Sequence, residues 1–342
     1  MNYKLKRVLS IILTLIIACG LAACTTTSST TEDGIEEKIK ETADFMIESI
    51  PNPTVSSLGG EWTVMSLARS DLDIDKEYFE NYYQNVVKII EENNGVLHER
   101  KYTEYSRVIL ALTAIGKDPT DVAGYNLLEY LADYEKVIFQ GINGPTFALI
   151  ALDSNSYEIP INPKVNIQAT REMYIDYILE RQLPDGGFSI MGDDTPADPD
   201  MTGMVLQALS KYRDIQKVKE AIDKALTCLS NIQLDTGGYS SWGSENSESV
   251  VQVIMALTEL GIDPEDERFV KGDNTLIDNL LTYYADGGGF MHIKEGQQGN
   301  GGAEAGVVDP MATDQGMYGL VAYKRYKDGK NSFYNMFDVK RD

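Results

Sequence analysis

The sequence predicts an all-α protein, an α6/α6 toroid of six helical hairpins closed into a double ring. Three observations predict it. Six small-residue, apolar segments each end in a small residue and a leucine, at Leu67, Leu112, Leu152, Leu209, Leu257 and Leu320. A more amphipathic segment precedes each one. Their spacings are 45, 40, 57, 48 and 63 residues, within the range of a helical-hairpin repeat.

The apolar segments are "GGEWTVMSL", "EYSRVILAL", "NGPTFALIAL", "DPDMTGMVLQAL", "SESVVQVIMAL" and "MATDQGMYGL". Apolar on most faces, each reads as a helix buried on both sides. The amphipathic partners are expected near residues 35–50, 75–93, 124–138, 167–182, 214–232 and 273–284. In "DIQKVKEAIDKALTCLSNIQ", Ile215, Val218, Ile222, Leu226 and Leu229 form one stripe, with charges opposite. Twelve such helices can stack as an open solenoid or close into two concentric rings. A solenoid wants polar end caps, and the first and last apolar segments are no more polar than the middle ones, which favours closure.

The amino terminus reads as something other than fold. Lys4, Lys6 and Arg7 precede the apolar run "VLSIILTLIIA" and then "LAAC", residues 21–24. Basic start, short apolar run and small residues describe a secretory signal peptide over residues 1–23. "LAAC" resembles a bacterial lipobox, which implies cleavage before Cys24 and lipidation of its thiol. Residues 24–34 read as a polar tether and 35–338 as the toroid domain. The expected address is the extracytoplasmic face of a membrane, with Cys24 as anchor.

The chain of 342 residues carries a net charge of −23. Loss of residues 1–23 removes three basic residues and no acid, which leaves 27 Lys and Arg against 53 acids, or −26. Such a surface repels nucleic acid and anionic headgroups, so neither is an expected partner. A monomer is expected. Of three cysteines, Cys19 leaves with the signal, Cys24 is the lipid site, and Cys228 reads as a buried small hydrophobe, so no disulfide framework exists.

"QLPDGGF", "QLDTGGY" and "YADGGGF" are Gly-Gly turns followed by an aromatic. They resemble the turns of the terpenoid cyclase and protein prenyltransferase α/α toroid superfamily, to which the α-domain of the cobalamin carriers also belongs. The chain is also similar to Gram-positive surface lipoproteins with "NGP", "ADPDMT", "ENSES" and "GKNS"-type segments. The resemblance spans about residues 35 to 338; "NNGVL" and "QGINGP" are degraded turns in the first half. It implies the toroid, and leaves activity open because this fold hosts unrelated functions.

A prenyltransferase of that superfamily would need an Asp, Cys and His zinc site. Cys228, His98 and His292 stand in unsuitable contexts, with no D-x-C around Cys228, so no metal and no cofactor are expected. Asp198, Pro199, Asp200, Met201 and Thr202 resemble the D-x-D-D-T of a squalene-hopene-type cyclase, which makes Asp198 and Asp200 the catalytic candidates. Met201 stands where that motif has its third acid. With Pro196 and Pro199, "DDTPADPD" is loop and no class I magnesium site; Asp193, Asp194 and Asp198 are left as Ca²⁺ candidates. The structural reading gives Asp185 to a turn and Asp200 to a helix cap.

Polar residues recur at the amino ends of the inner segments: Glu61, Glu104, Thr146, Asp200, Glu248 and Asp314. In a closed ring these ends share one rim, and Trp62, Tyr105, Gln252 and Tyr318 would join them around a cup. The expected function is a non-catalytic ligand-binding or surface-interaction module for a small molecule, peptide or glycan. The alternative is a cyclase- or prenyltransferase-like enzyme acting on an isoprenoid-type substrate.

Overall fold

The computed structural model describes residues 32–192, 195–299 and 302–341. Cys24, the signal segment and most of the tether, like Asp193 and Asp194, lie outside the described residues.

Among the described residues, twelve α-helices alternate between two kinds. The apolar segments form α2 (Glu61–Arg69), α4 (Thr103–Ala114), α6 (Asn143–Asp153), α8 (Pro199–Leu209), α10 (Ser247–Glu259) and α12 (Pro310–Lys327). The amphipathic ones form α1 (Glu32–Ser49), α3 (Lys76–Glu92), α5 (Tyr134–Val137), α7 (Arg171–Leu179), α9 (Gln216–Ile232) and α11 (Leu276–Leu281). Twelve of the thirteen residues of α10 are buried, whereas α9 buries only its stripe of Val218, Ala221, Ile222, Ala225, Leu226, Cys228 and Leu229. The contacts follow this division. Each even-numbered helix packs on the next, α2 through α12, and α12 packs back on α2. Odd-numbered helices α7, α9 and α11 lie against α6, α8 and α10.

One amphipathic element departs from expectation. The segment 124–138 was expected as a continuous helix and is instead a 3-10 turn, Leu127–Ala132, followed by the four-residue α5. The cause is local: Asn126 and Asp133 each turn a side-chain oxygen back onto the chain, accepting from the N–H of Leu128 and Lys136. Side chains of this type compete with the helix for its own donors.

The Gly-Gly turns repeat one device. The Gln182 amide donates to Gly186 O at 2.7 Å and reaches Ala221 O in the next hairpin at 2.8 Å. Gln233 does the same to Gly237 O and Phe269 O, both at 2.8 Å. Gly186 sits at φ +92°, and a Cβ on Gly187 would lie 2.4 Å from Ala197 Cβ, so both positions require glycine. Phe188, Tyr239 and Phe290 follow the turns and are fully buried. Asp198, Asn246 and Asp309 then cap α8, α10 and α12 by accepting from the N–H three residues on. The cap of α8 is therefore Asp198 and not Asp200, which occupies the first turn behind Pro199. Helices α2, α4 and α6 have no side-chain cap.

The carboxyl ends of the even-numbered helices lie under the tail that follows α12. Buried Arg69 donates to the carbonyls of Phe333, Ser332 and Asn335 at 3.0–3.1 Å and pairs with Asp338 at 2.8 Å. Glu259 accepts from Ser332 Oγ and Tyr334 N, and Ser154 O accepts from Met336 N. Among the described residues no helix is long and apolar enough to cross a membrane. The only strands described are two residues each, β1 (Ser240–Ser241) and β2 (Ser244–Glu245), in a hairpin just before α10.

Candidate functional site

A cavity of about 190 Å³ receives a side chain from every even-numbered helix. Trp62 comes from α2, Thr103 and Arg107 from α4, Asn143 and Phe147 from α6, Met204 from α8, Gln252 from α10, Gln315 and Tyr318 from α12. Tyr334 of the tail is also in its wall. These positions fall in the first three turns of their helices, so the amino ends gather here. Roomier depressions exist, of about 880 Å³ beside Ala68, Ile115 and Arg341 and about 390 Å³ beside Ile142 and Met191. Each is bounded by one side of the molecule only; the smaller cavity is where the six helices converge.

The lining combines aromatic faces with amides. Trp62 meets Phe147 edge-on at 5.9 Å and Tyr318 at 5.7 Å between ring centroids. Gln252 Nε2 donates to Tyr318 O–H at 2.6 Å and to Gln315 Oε1 at 2.9 Å, while its own Oε1 accepts from Gln207. Arg107 brings the one charge among the lining residues, and two acids hold it. Its Nε donates to Glu61 Oε2 at 3.3 Å, and a second nitrogen pairs with Glu104. Burial pushes the Glu61 carboxyl up to about 7, against the pull of Arg107 and the Ser56 N–H. Burial likewise drives the Tyr318 phenol well above its ordinary range.

A second group of polar side chains sits over the amino ends of α8 and α10. Glu248 Oε2 lies 2.7 Å from His292 Nδ1 and accepts from Ser247 Oγ at 3.0 Å. Asp198 takes a bond from Ser241 Oγ besides its capping bond. Asp200 is pushed up to about 7, first by burial and then by the charge of Asp198, with Ser249 opposing. Its Oδ1 is buried without a hydrogen-bond partner. Asp314, on α12 where it meets α2, accepts from Thr63 Oγ1 at 2.7 Å, and burial raises it to about 7 as well.

The expected rim residues thus separate. Trp62, Gln252 and Tyr318 line the cavity; Glu61 and Glu104 hold Arg107 in it. Asp200 and Glu248 join the group with Asp198 and His292, and Asp314 ties α12 to α2. Thr146 spends its hydroxyl on Ile142 O one turn back. Tyr105 is fully buried, stacks on Tyr130 at 3.9 Å, and accepts from the N–H of Leu97 and His98 to hold that loop. Neither Thr146 nor Tyr105 lines the cavity. Arg107, Asn143, Phe147 and Gln315 were not anticipated. For Arg107, Asn143 and Gln315 the sequence signal is a polar residue within or at the start of an otherwise apolar segment, as in "EYSRVILAL"; Phe147 carries none. Tyr334 and the pairing of His292 with Glu248 carry no such signal.

Among the described residues no group of three or more His, Cys, Asp or Glu could hold a metal ion. Burial pushes the Cys228 thiol up to about 11, away from the thiolate a zinc ligand must be. Asp185 serves its turn, accepting from Gly187 N and Ala197 N at 3.0 Å each.

No family model matches the sequence. No curated protein matches it either. Solved structures do: that of a polysaccharide lyase aligns with a TM-score of 0.53 over 87% of this chain and 98% of its own, at 13% identity. At that identity the likeness is one of fold.

Proposed function

We propose that the chain is a membrane-anchored extracytoplasmic lipoprotein whose α6/α6 toroid binds a saccharide in the cup at the amino ends of its inner helices, without turning it over. The carrying observation is the cavity to which all six even-numbered helices contribute. Helix contacts that return from α12 to α2 support the closed ring. The structural neighbour, a polysaccharide lyase, supports the ligand class. So does the lining: aromatic faces of Trp62 and Phe147 pack on the apolar faces of a sugar ring, and the amides of Asn143, Gln252 and Gln315 exchange hydrogen bonds with hydroxyls. Arg107, balanced by Glu61 and Glu104, leaves the cup without a free cation. Elimination or hydrolysis needs a base or an acid–base pair at the bond. The described lining has no carboxylate, histidine or lysine, and its phenols are shifted up, opposite to what a base requires. The Cys24 anchor rests on the sequence alone.

Titration calorimetry of the soluble domain against neutral mono- and oligosaccharides tests the reading. Binding that Gln252→Ala weakens by about tenfold, with no product formed, is the expected result. Product formation would replace the reading with an enzyme, and absence of any heat would remove the saccharide. Cys24→Ser is expected to release the protein from the membrane fraction.

One observation favours a second reading, the cyclase-like enzyme. Asp200 holds its proton to about neutral pH and has an unpartnered oxygen, as an acid catalyst would. Loss of polyprenyl turnover in Asp200→Asn, at unchanged stability, would establish it.

A further inference from the structure

The β1–β2 hairpin places Trp242 at its tip, 67% exposed. Trp242 lies at φ +52° and Gly243 at φ +86°, both in the left-handed region, the combination of a tight two-residue hairpin turn in which asparagine and glycine are at ease. A bulky residue there costs on the order of 1 kcal/mol. The tip is not loose chain. Ser241 Oγ is bonded to Asp198, Ser244 Oγ donates to Gln298 O at 3.0 Å, and Glu245 Oε1 accepts from Thr236 and Asn279 at 2.7 and 2.9 Å. A Cβ on Gly243 would meet nothing within 4 Å, so the tip stands in open space. A solvent-facing indole on a strained turn of a firmly held hairpin is poor for stability and well placed for a ligand.

Its place in the fold says which ligand. Asp198 and Asn246, at the base of the hairpin, cap α8 and α10. Met204 and Gln252 of the cup lie six residues further along those helices, about 9 Å down the axis. A short oligosaccharide bridges that interval. An exposed indole offers a flat face to the C–H face of a pyranose. The net charge of −23 works against a polyanionic chain.

We infer that Trp242 is a second sugar-binding platform at the mouth of the cup, stacking a ring of a neutral oligosaccharide whose end occupies the cavity. This rests on the saccharide reading and adds a subsite to it. The test is calorimetry of wild type, Trp242→Ala and Gln252→Ala with glucose- and N-acetylglucosamine-based monosaccharides and their hexasaccharides. Sedimentation of wild type and Trp242→Ala runs alongside. Trp242→Ala is expected to weaken hexasaccharide binding about tenfold and leave monosaccharide binding unchanged, while Gln252→Ala weakens both. Equal hexasaccharide affinity in wild type and Trp242→Ala would overturn the platform and leave the cup reading intact. Silence of wild type toward every sugar overturns both. Concentration-dependent self-association abolished by Trp242→Ala would overturn the platform by assigning the indole to a second copy of this chain.

Discussion

The two ends of the even-numbered helices are built in opposite ways. At the carboxyl ends the tail lies across the bundle, and Arg69, Arg325 and Glu259 bond its backbone and Asp338. At the amino ends there is a cavity, a group of buried acids with raised affinity for protons, and an exposed tryptophan in a costly conformation. The carboxyl end is tied down by its tail, although Asn335 Oδ1 there is buried without a partner, Asp71 and Ser156 lie at positive φ and burial raises Glu259 too; what the amino end alone adds is the six-helix cavity and the exposed indole. The proposed ligand site lies at the end with the cavity, and the tail closes the other end.

Substitutions at the two ends should therefore differ in size and sign. Arg69→Met strips partners from three tail carbonyls and from Asp338. A loss of about 3–5 kcal/mol is expected, read as the shift in urea midpoint at constant slope. A near-neutral result would mean that the tail does not close this end.

Asp314 comes next, through pH. Its folded value of about 7 lies above its ordinary 3.8. Between those values the folded state keeps a proton that the unfolded chain has released. The contribution of Asp314 to stability is thus fully present below about pH 4 and is lost as pH rises through 7. Asp314→Asn should stabilise the protein by roughly 4 kcal/mol at pH 8 relative to its effect at pH 4, while the amide oxygen keeps the Thr63 bond. Urea melts across that range check the sign.

Asp198→Ala removes the α8 cap and the Ser241 bond, with an expected cost of about 1–2 kcal/mol; Asp198→Asn should recover most of it. The smallest effect has the opposite sign. Trp242→Asn places a residue suited to the left-handed turn and should stabilise by about 0.5–1 kcal/mol in thermal melts. Destabilisation would show that the indole supports the fold rather than standing free of it.

The amino and carboxyl halves of the chain also differed in how far sequence revealed them. Helices α8, α10 and α12 were legible because Gly-Gly-aromatic turns announce them; of their caps only that of α8 was expected, and it was given to Asp200 where Asp198 serves. Helices α2, α4 and α6 begin at Gly60, Tyr102 and Ile142 without a side-chain cap, and only their apolar run marks them. The broken helix at 124–138 escaped because Asn126 and Asp133 keep an amphipathic period while diverting backbone donors. At the site, Trp62, Gln252 and Tyr318 were legible from their position one residue or one turn from the polar residues at the helix starts. Tyr105 obeyed the same rule and failed it, because its ring turned to stack on Tyr130. The partnership of Glu248 with His292, 44 residues apart, depends on hairpins meeting in space, which no spacing encodes.

The most direct test of ligand binding at the amino end is hydrogen–deuterium exchange of the domain with and without a neutral hexasaccharide. Protection is expected in the first turns of α2, α4, α6, α10 and α12, in the hairpin at 240–245 and around Tyr334, with the tail at 338–341 unchanged. Protection confined to the tail, or to the depression beside Ala68 and Ile115, would contradict it.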